Sequence, residues 1–153
     1  MNPQLAATAA RSQGRRDVRP LLCLLAAADA ATGGFATIAP HAFYRHVVGV
    51  NLLGPYSQHL LTDVGGFYLG FALLFAWAAW TLSPELVRAA CAAAILTSLL
   101  HFSYHAVHLE HFSTGKAIAQ TIGLTFQVAL PLFALLANRP ARPSTVSQSG
   151  PAS

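Results

Sequence analysis

Charge is what this sequence has least of. Asp, Glu, Lys and Arg together make up 9% of 153 residues, while hydrophobic residues make up 54%. An ordinary soluble domain is about 25% charged. A chain this poor in charge cannot cover its own surface in water, so its natural solvent is lipid. Cysteine is also scarce: Cys23 and Cys91 both sit in apolar runs without a CxxC pair, which argues against a disulfide framework or a dithiol redox motif. No serine stands in a GxSxG elbow, neither cysteine has a histidine near it in sequence, and HExxH does not occur. The usual signatures of nucleophilic and zinc-protease catalysis are therefore missing. The net charge of +4 is small, and the arginines cluster in short flanking segments without interleaved aromatics. That pattern argues against nucleic acid as a partner.

What is present is apolar length. A membrane-spanning helix needs about 20 mostly apolar residues, and four segments meet that need: 21–39, 64–82, 87–108 and 116–137. The turn Ser83-Pro84-Glu85 makes the second and third segments antiparallel neighbours, and 109–115 joins the third to the fourth. The only sizeable connection, 40–63, mixes Pro40, Gly49, Gly54 and Pro55 with apolar positions. It predicts a short interfacial helix followed by a turn at Gly54-Pro55. The expected fold class is all-α: an integral membrane four-helix bundle over 19–138, with that interfacial helix between its first two spans. The flanks 1–18 and 139–153 are rich in Ala, Ser, Pro, Gln or Arg and predict disordered tails.

The basic residues orient the bundle. Arg11, Arg15, Arg16, Arg19, Arg88, Arg139 and Arg142 fall on one side, and only Arg45 and Lys116 on the other. The positive-inside rule makes the first side cytoplasmic, with both termini inside. A competing reading treats the early arginines and LLCLLAAADAA as a cleaved signal peptide. The apolar stretch continues past Asp29 to Ala39, which favours a retained span.

In this orientation all seven histidines lie on the extracytoplasmic side. His101, His105 and His108, at i, i+4 and i+7, predict one stripe along the third helix. With Ser57 as helix cap, His59 and Asp63 at i and i+4 share one face of the second helix and can meet the stripe at similar depth. His59, Asp63, His101, His105 and His108 are thus candidate metal ligands for a transition metal. Haem is the weaker form of that reading, because the first and fourth segments carry no histidine. The other reading is a hydrogen-bonded or pH-responsive interface, with His105 paired to Asp63 and His101 to a backbone carbonyl.

A second polar group lies deeper. Asp29 falls mid-span, where a carboxyl is costly and a functional candidate by default. Thr97 and Gln127 fall at the same depth, with Ser98 beside Thr97, and Gln120 lies one heptad outward from Gln127. This layer reads either as a proton or ligand site or as interhelical hydrogen-bond glue. Gly66 and Gly70 form a GxxxG that admits another backbone, from this chain or from a second protomer. Trp77 and Trp80 fall near one interface and Tyr44, Tyr56 and Tyr104 near the other, as an aromatic belt requires. Pro131 is placed to kink the fourth helix.

The block FYRHVVGVNLLGPYSQHLLTDVGGFYLGFALL, together with HFSYHAVHLEH, resembles small bacterial membrane proteins with a DoxX-like four-helix plan, over about residues 21–137. The resemblance implies a bundle in the bacterial inner membrane. Proteins of that plan have been linked to quinone-related redox chemistry and to membrane complexes, but no catalytic residue pattern transfers. The leading functional expectation is a multi-pass inner-membrane protein without established enzymatic activity, such as an accessory subunit, bearing a His/Asp site open to the outside. Its partners would be the lipid bilayer and a second copy or another membrane protein. The rivals are a membrane redox or metal-binding protein and a small proton-coupled transporter using Asp29.

Overall fold

A computed structural model describes the backbone of residues 3–52 and 54–138 and the side chains from Val18 onward within that range. Among the described residues five α-helices follow one another: α1 (Pro3–Ile38), α2 (Pro40–His46), α3 (Gln58–Thr81), α4 (Pro84–Ala106) and α5 (Thr114–Ala137). Short 3-10 turns at Val50–Leu52 and Leu109–His111 complete the connections. No strand occurs among the described residues. The all-α expectation holds, as does the short helix after the first span.

Among the described residues, four helices are long and apolar enough to cross a membrane. Their apolar stretches, Val18–Ile38, Gln58–Thr81, Pro84–Ala106 and Thr114–Ala137, run 21 to 24 residues. At about 1.5 Å per residue each exceeds a hydrocarbon core of about 30 Å. Their outward faces suit lipid: Ile38, Phe67 and Trp80 are all more than two-thirds exposed. The tail expectation needs correction at the amino end. α1 begins at Pro3, so the backbone of 3–18 is helical. Ala, Gln, Leu and Arg dominate this stretch and are strong helix formers, and Pro3 suits a first helical turn. The expected tail at 139–153 lies outside the described residues.

Local sequence sets each helix end. The Ser57 hydroxyl accepts from Leu60 N–H at 3.3 Å and caps α3. Ser83 caps α4 by accepting from Leu86 N–H at 3.4 Å, with Pro84 in the first turn, where a missing N–H costs nothing. Between them, Leu82 closes α3 in the left-handed region, φ 51°, and its N–H reaches Ala78 O at 2.8 Å. α4 stops at Ala106 and not at residue 108.

The helices make two close pairs, α1 with α3 and α4 with α5; further contacts join α1 to α5 and α3 to α4. At the end holding the Ser83 turn the four meet in a dry core. Val18, Leu22, Phe75, Ala78, Val87, Ala90, Cys91 and Ala134 are buried there. In lipid, packing rather than the hydrophobic effect holds helices together, which favours such small residues. At the opposite end α2 folds back, and Phe43 packs on Ala36 and Leu61 and edge-on against Phe35 at 5.4 Å.

The closest helix approach is between α1 and α3, and it does not use the GxxxG. A Cβ on Gly33 would lie 2.6 Å from Gly65 O, and one on Gly65 would lie 2.9 Å from Gly33 O. Gly66 and Gly70 face open space. The approach uses Gly33 with Gly65, one residue before the motif, because that register turns Gly65 toward α1 and the motif outward.

Candidate functional site

Beyond the core at the Ser83 end, the helices enclose space. Two cavities lie between the helix pairs, of about 290 Å³ and about 540 Å³. Val64, Tyr68, His101 and Gln127 line both. These residues come from α3, α4 and α5, and they form the wall that the two cavities share. The walls are mostly apolar, and the polar groups fall in two sets.

The deep set surrounds the smaller cavity: Asp29 from α1, Tyr68 from α3, Thr97, Ser98 and His101 from α4, and Gln127 from α5. The expected layer of Asp29, Thr97 and Gln127 is therefore gathered around one space, but it is not a hydrogen-bonded triad. Thr97 Oγ1 donates back to Ala93 O and Ala94 O, both at 3.1 Å, the habit of a hydroxyl inside a helix. Gln127 Nε2 donates to Tyr68 Oη at 2.9 Å. Asp29 makes no hydrogen bond or ion pair among the described residues and stands half-buried in the wall.

The second set lines the larger cavity near α2. Gln120 of α5 donates through Nε2 to His105 Nδ1 of α4. Gln120 is 8% exposed, and its Oε1 is buried without a hydrogen-bond partner among the described residues. An orphaned acceptor of this kind costs about 1–3 kcal/mol. Gly49 covers the amide. Its φ of +91° suits glycine, and a Cβ there would press on Gln120 Oε1 and come within 2.8 Å of the Phe112 ring. His101 touches His105 edge to face, ring centres 4.6 Å apart.

The five candidate metal ligands separate. His59 and Asp63 do pair on α3, Nε2 to Oδ2 at 3.5 Å, and the His59 side chain is 89% exposed. His101 and His105 both line the larger cavity. His108 leaves the stripe, because α4 ends two residues before it. Its Nδ1 lies 2.7 Å from Tyr104 O and its ring stacks on Tyr104. No group of three or more His, Cys, Asp or Glu side chains among the described residues is arranged to hold a metal ion. The interface expectation also changes partners. His105 pairs with Gln120, not with Asp63, because α5 rather than the start of α3 faces that turn of α4.

Two contributors escape a reading of the sequence. Tyr68 stands eleventh in a helix of 24 residues, too deep for an interfacial belt, and that depth is the signal that marks it. Gly49 has no signal, since its role depends on which side chain lies opposite. No family model matches the chain, and no curated protein or solved structure matches it.

Proposed function

We propose that this multi-pass membrane protein binds a small, mostly apolar molecule between its helices, as a binding or accessory subunit. The observation that carries the reading is the pair of adjoining cavities. Their walls are mostly apolar, and the polar residues Tyr68, His101 and Gln127 line both. Ligand sites have this character: a few placed polar groups in an apolar concavity of about 300–1,000 Å³. The DoxX-like plan and a bacterial inner membrane belong to the same proposal, supported by the four spans and the quoted residues.

Gly123 supplies the test. It lines the larger cavity, and a Cβ there meets nothing within 4 Å, so Gly123→Leu extends into the cavity without disturbing α5. Native mass spectrometry of protein in lipid nanodiscs is expected to find a small molecule on the wild type. Gly123→Leu should carry about tenfold less, with an unchanged melting temperature. Equal occupancy in both would refute the proposal. So would an empty wild type that remains empty after incubation with a panel of small aromatic compounds.

The charge asymmetry supports an orientation with both termini in the cytoplasm. With Cys23 and Cys91 replaced by alanine, a cysteine at Ser113 should react with an impermeant maleimide on whole cells, and one at Ser83 only after lysis. The reverse pattern would invert the topology.

A further inference from the structure

We infer that the smaller cavity takes an organic cation, a small amine or quaternary ammonium with apolar substituents, with Asp29 as its counter-ion. The inference rests on the reading of the cavities as a ligand site and names the chemistry of the ligand.

Charge carries the argument. Among the described residues, Asp29 is the only Asp, Glu, Lys or Arg lining either cavity. A carboxylate in an apolar wall is costly unless something pairs with it, and among the described residues no side chain does. An anionic ligand would meet this carboxylate with no Lys or Arg to offset it. A cation would supply the missing partner.

The rest of the wall points the same way. Tyr68 and Phe71 of α3 line the same cavity, and the faces of aromatic rings attract cations. Rings joined to a single acid form a site for a cation whose substituents are themselves apolar. A metal ion would need several oxygen or nitrogen donors around it, whereas Thr97 is turned back onto its own helix and no acidic residue accompanies Asp29. Tyr68 Oη accepts from Gln127, which holds that ring in place between the two cavities. Asp29 lies about midway along the Val18–Ile38 span, so the ligand would be held in the middle of the bundle.

The probe is benzyltrimethylammonium, compared with neopentylbenzene, its uncharged carbon isostere. Binding to protein in phosphatidylcholine nanodiscs would be measured by equilibrium dialysis, with empty nanodiscs correcting for lipid partition. The cation is expected to bind the wild type about tenfold or more tightly than the isostere. Asp29→Asn should remove that preference and Asp29→Glu should largely keep it. The wild-type comparison decides the matter even if Asp29→Asn fails to fold. Equal binding of both compounds by the wild type would overturn the cation inference and leave the cavity reading standing. Binding of neither would overturn both. A preference for the cation that survives in a folded Asp29→Asn would overturn the assignment of Asp29.

Discussion

Gly65→Leu is expected to disassemble the bundle, while Gly66→Leu, one residue along, leaves it intact. The difference lies in what each new side chain would meet. At Gly65 the first added carbon already lies 2.9 Å from Gly33 O and 3.2 Å from the Ala36 methyl. Backbone in a neighbouring helix cannot swing aside as a flexible side chain can, so α1 and α3 must separate. Overpacking typically costs about 1–3 kcal/mol, and here it falls on the closest helix pair in the molecule. At Gly66 nothing lies within 4 Å and the residue is exposed. The check is thermal unfolding in mild detergent followed by size exclusion. Gly65→Leu and Gly33→Leu should lose the monodisperse peak at temperatures where the wild type and Gly66→Leu keep it. An unfolded Gly66→Leu beside an intact Gly65→Leu would mean that the GxxxG face, not Gly65, packs against α1.

Gly49→Ala should damage the larger cavity through a residue that carries no chemistry of its own. Two costs combine. Alanine at φ +91° is strained, since a side chain in the left-handed region costs about 1–2 kcal/mol. Its methyl also presses on Gln120 and lies 2.8 Å from Phe112, which forces the amide away from His105 and breaks their hydrogen bond. A double-mutant cycle separates the two. In a Gln120→Ala background the clash with the amide disappears while the backbone strain stays. Gly49→Ala should therefore cost less there, by about 1 kcal/mol or more. The His105 imidazole resonances should shift in Gly49→Ala as they do in Gln120→Ala. Strict additivity with unshifted His105 resonances would show that Gly49 does not hold the amide.

The sequence by itself determined a great deal about this protein. Low charge and four apolar runs dictate membrane-spanning helices, because no other regular structure satisfies an isolated backbone in lipid. Ser57, Ser83 and Pro84 mark helix starts through local hydrogen bonding that needs no tertiary partner. The His59–Asp63 pair was legible because i, i+4 neighbours on a helix meet wherever the helix goes. Asp29, Thr97 and Gln127 were legible as a layer, because depth in a span follows from residue count alone.

Rotation about each helix axis was not legible, and it decided the rest. Which face of α3 meets α1 chose Gly65 over the Gly66 and Gly70 motif. Which helix faces the last turns of α4 gave His105 to Gln120 instead of Asp63. A helix end two residues early took His108 off the stripe. An even spread of apolar side chains around a lipid-exposed helix leaves no hydrophobic face to reveal the inward side. In such a chain the sequence gives depth, and only packing gives direction. The cavities, with Asp29, Tyr68 and Gln120 around them, lie between α1, α3, α4 and α5, and a space between helices exists only once the helices are packed.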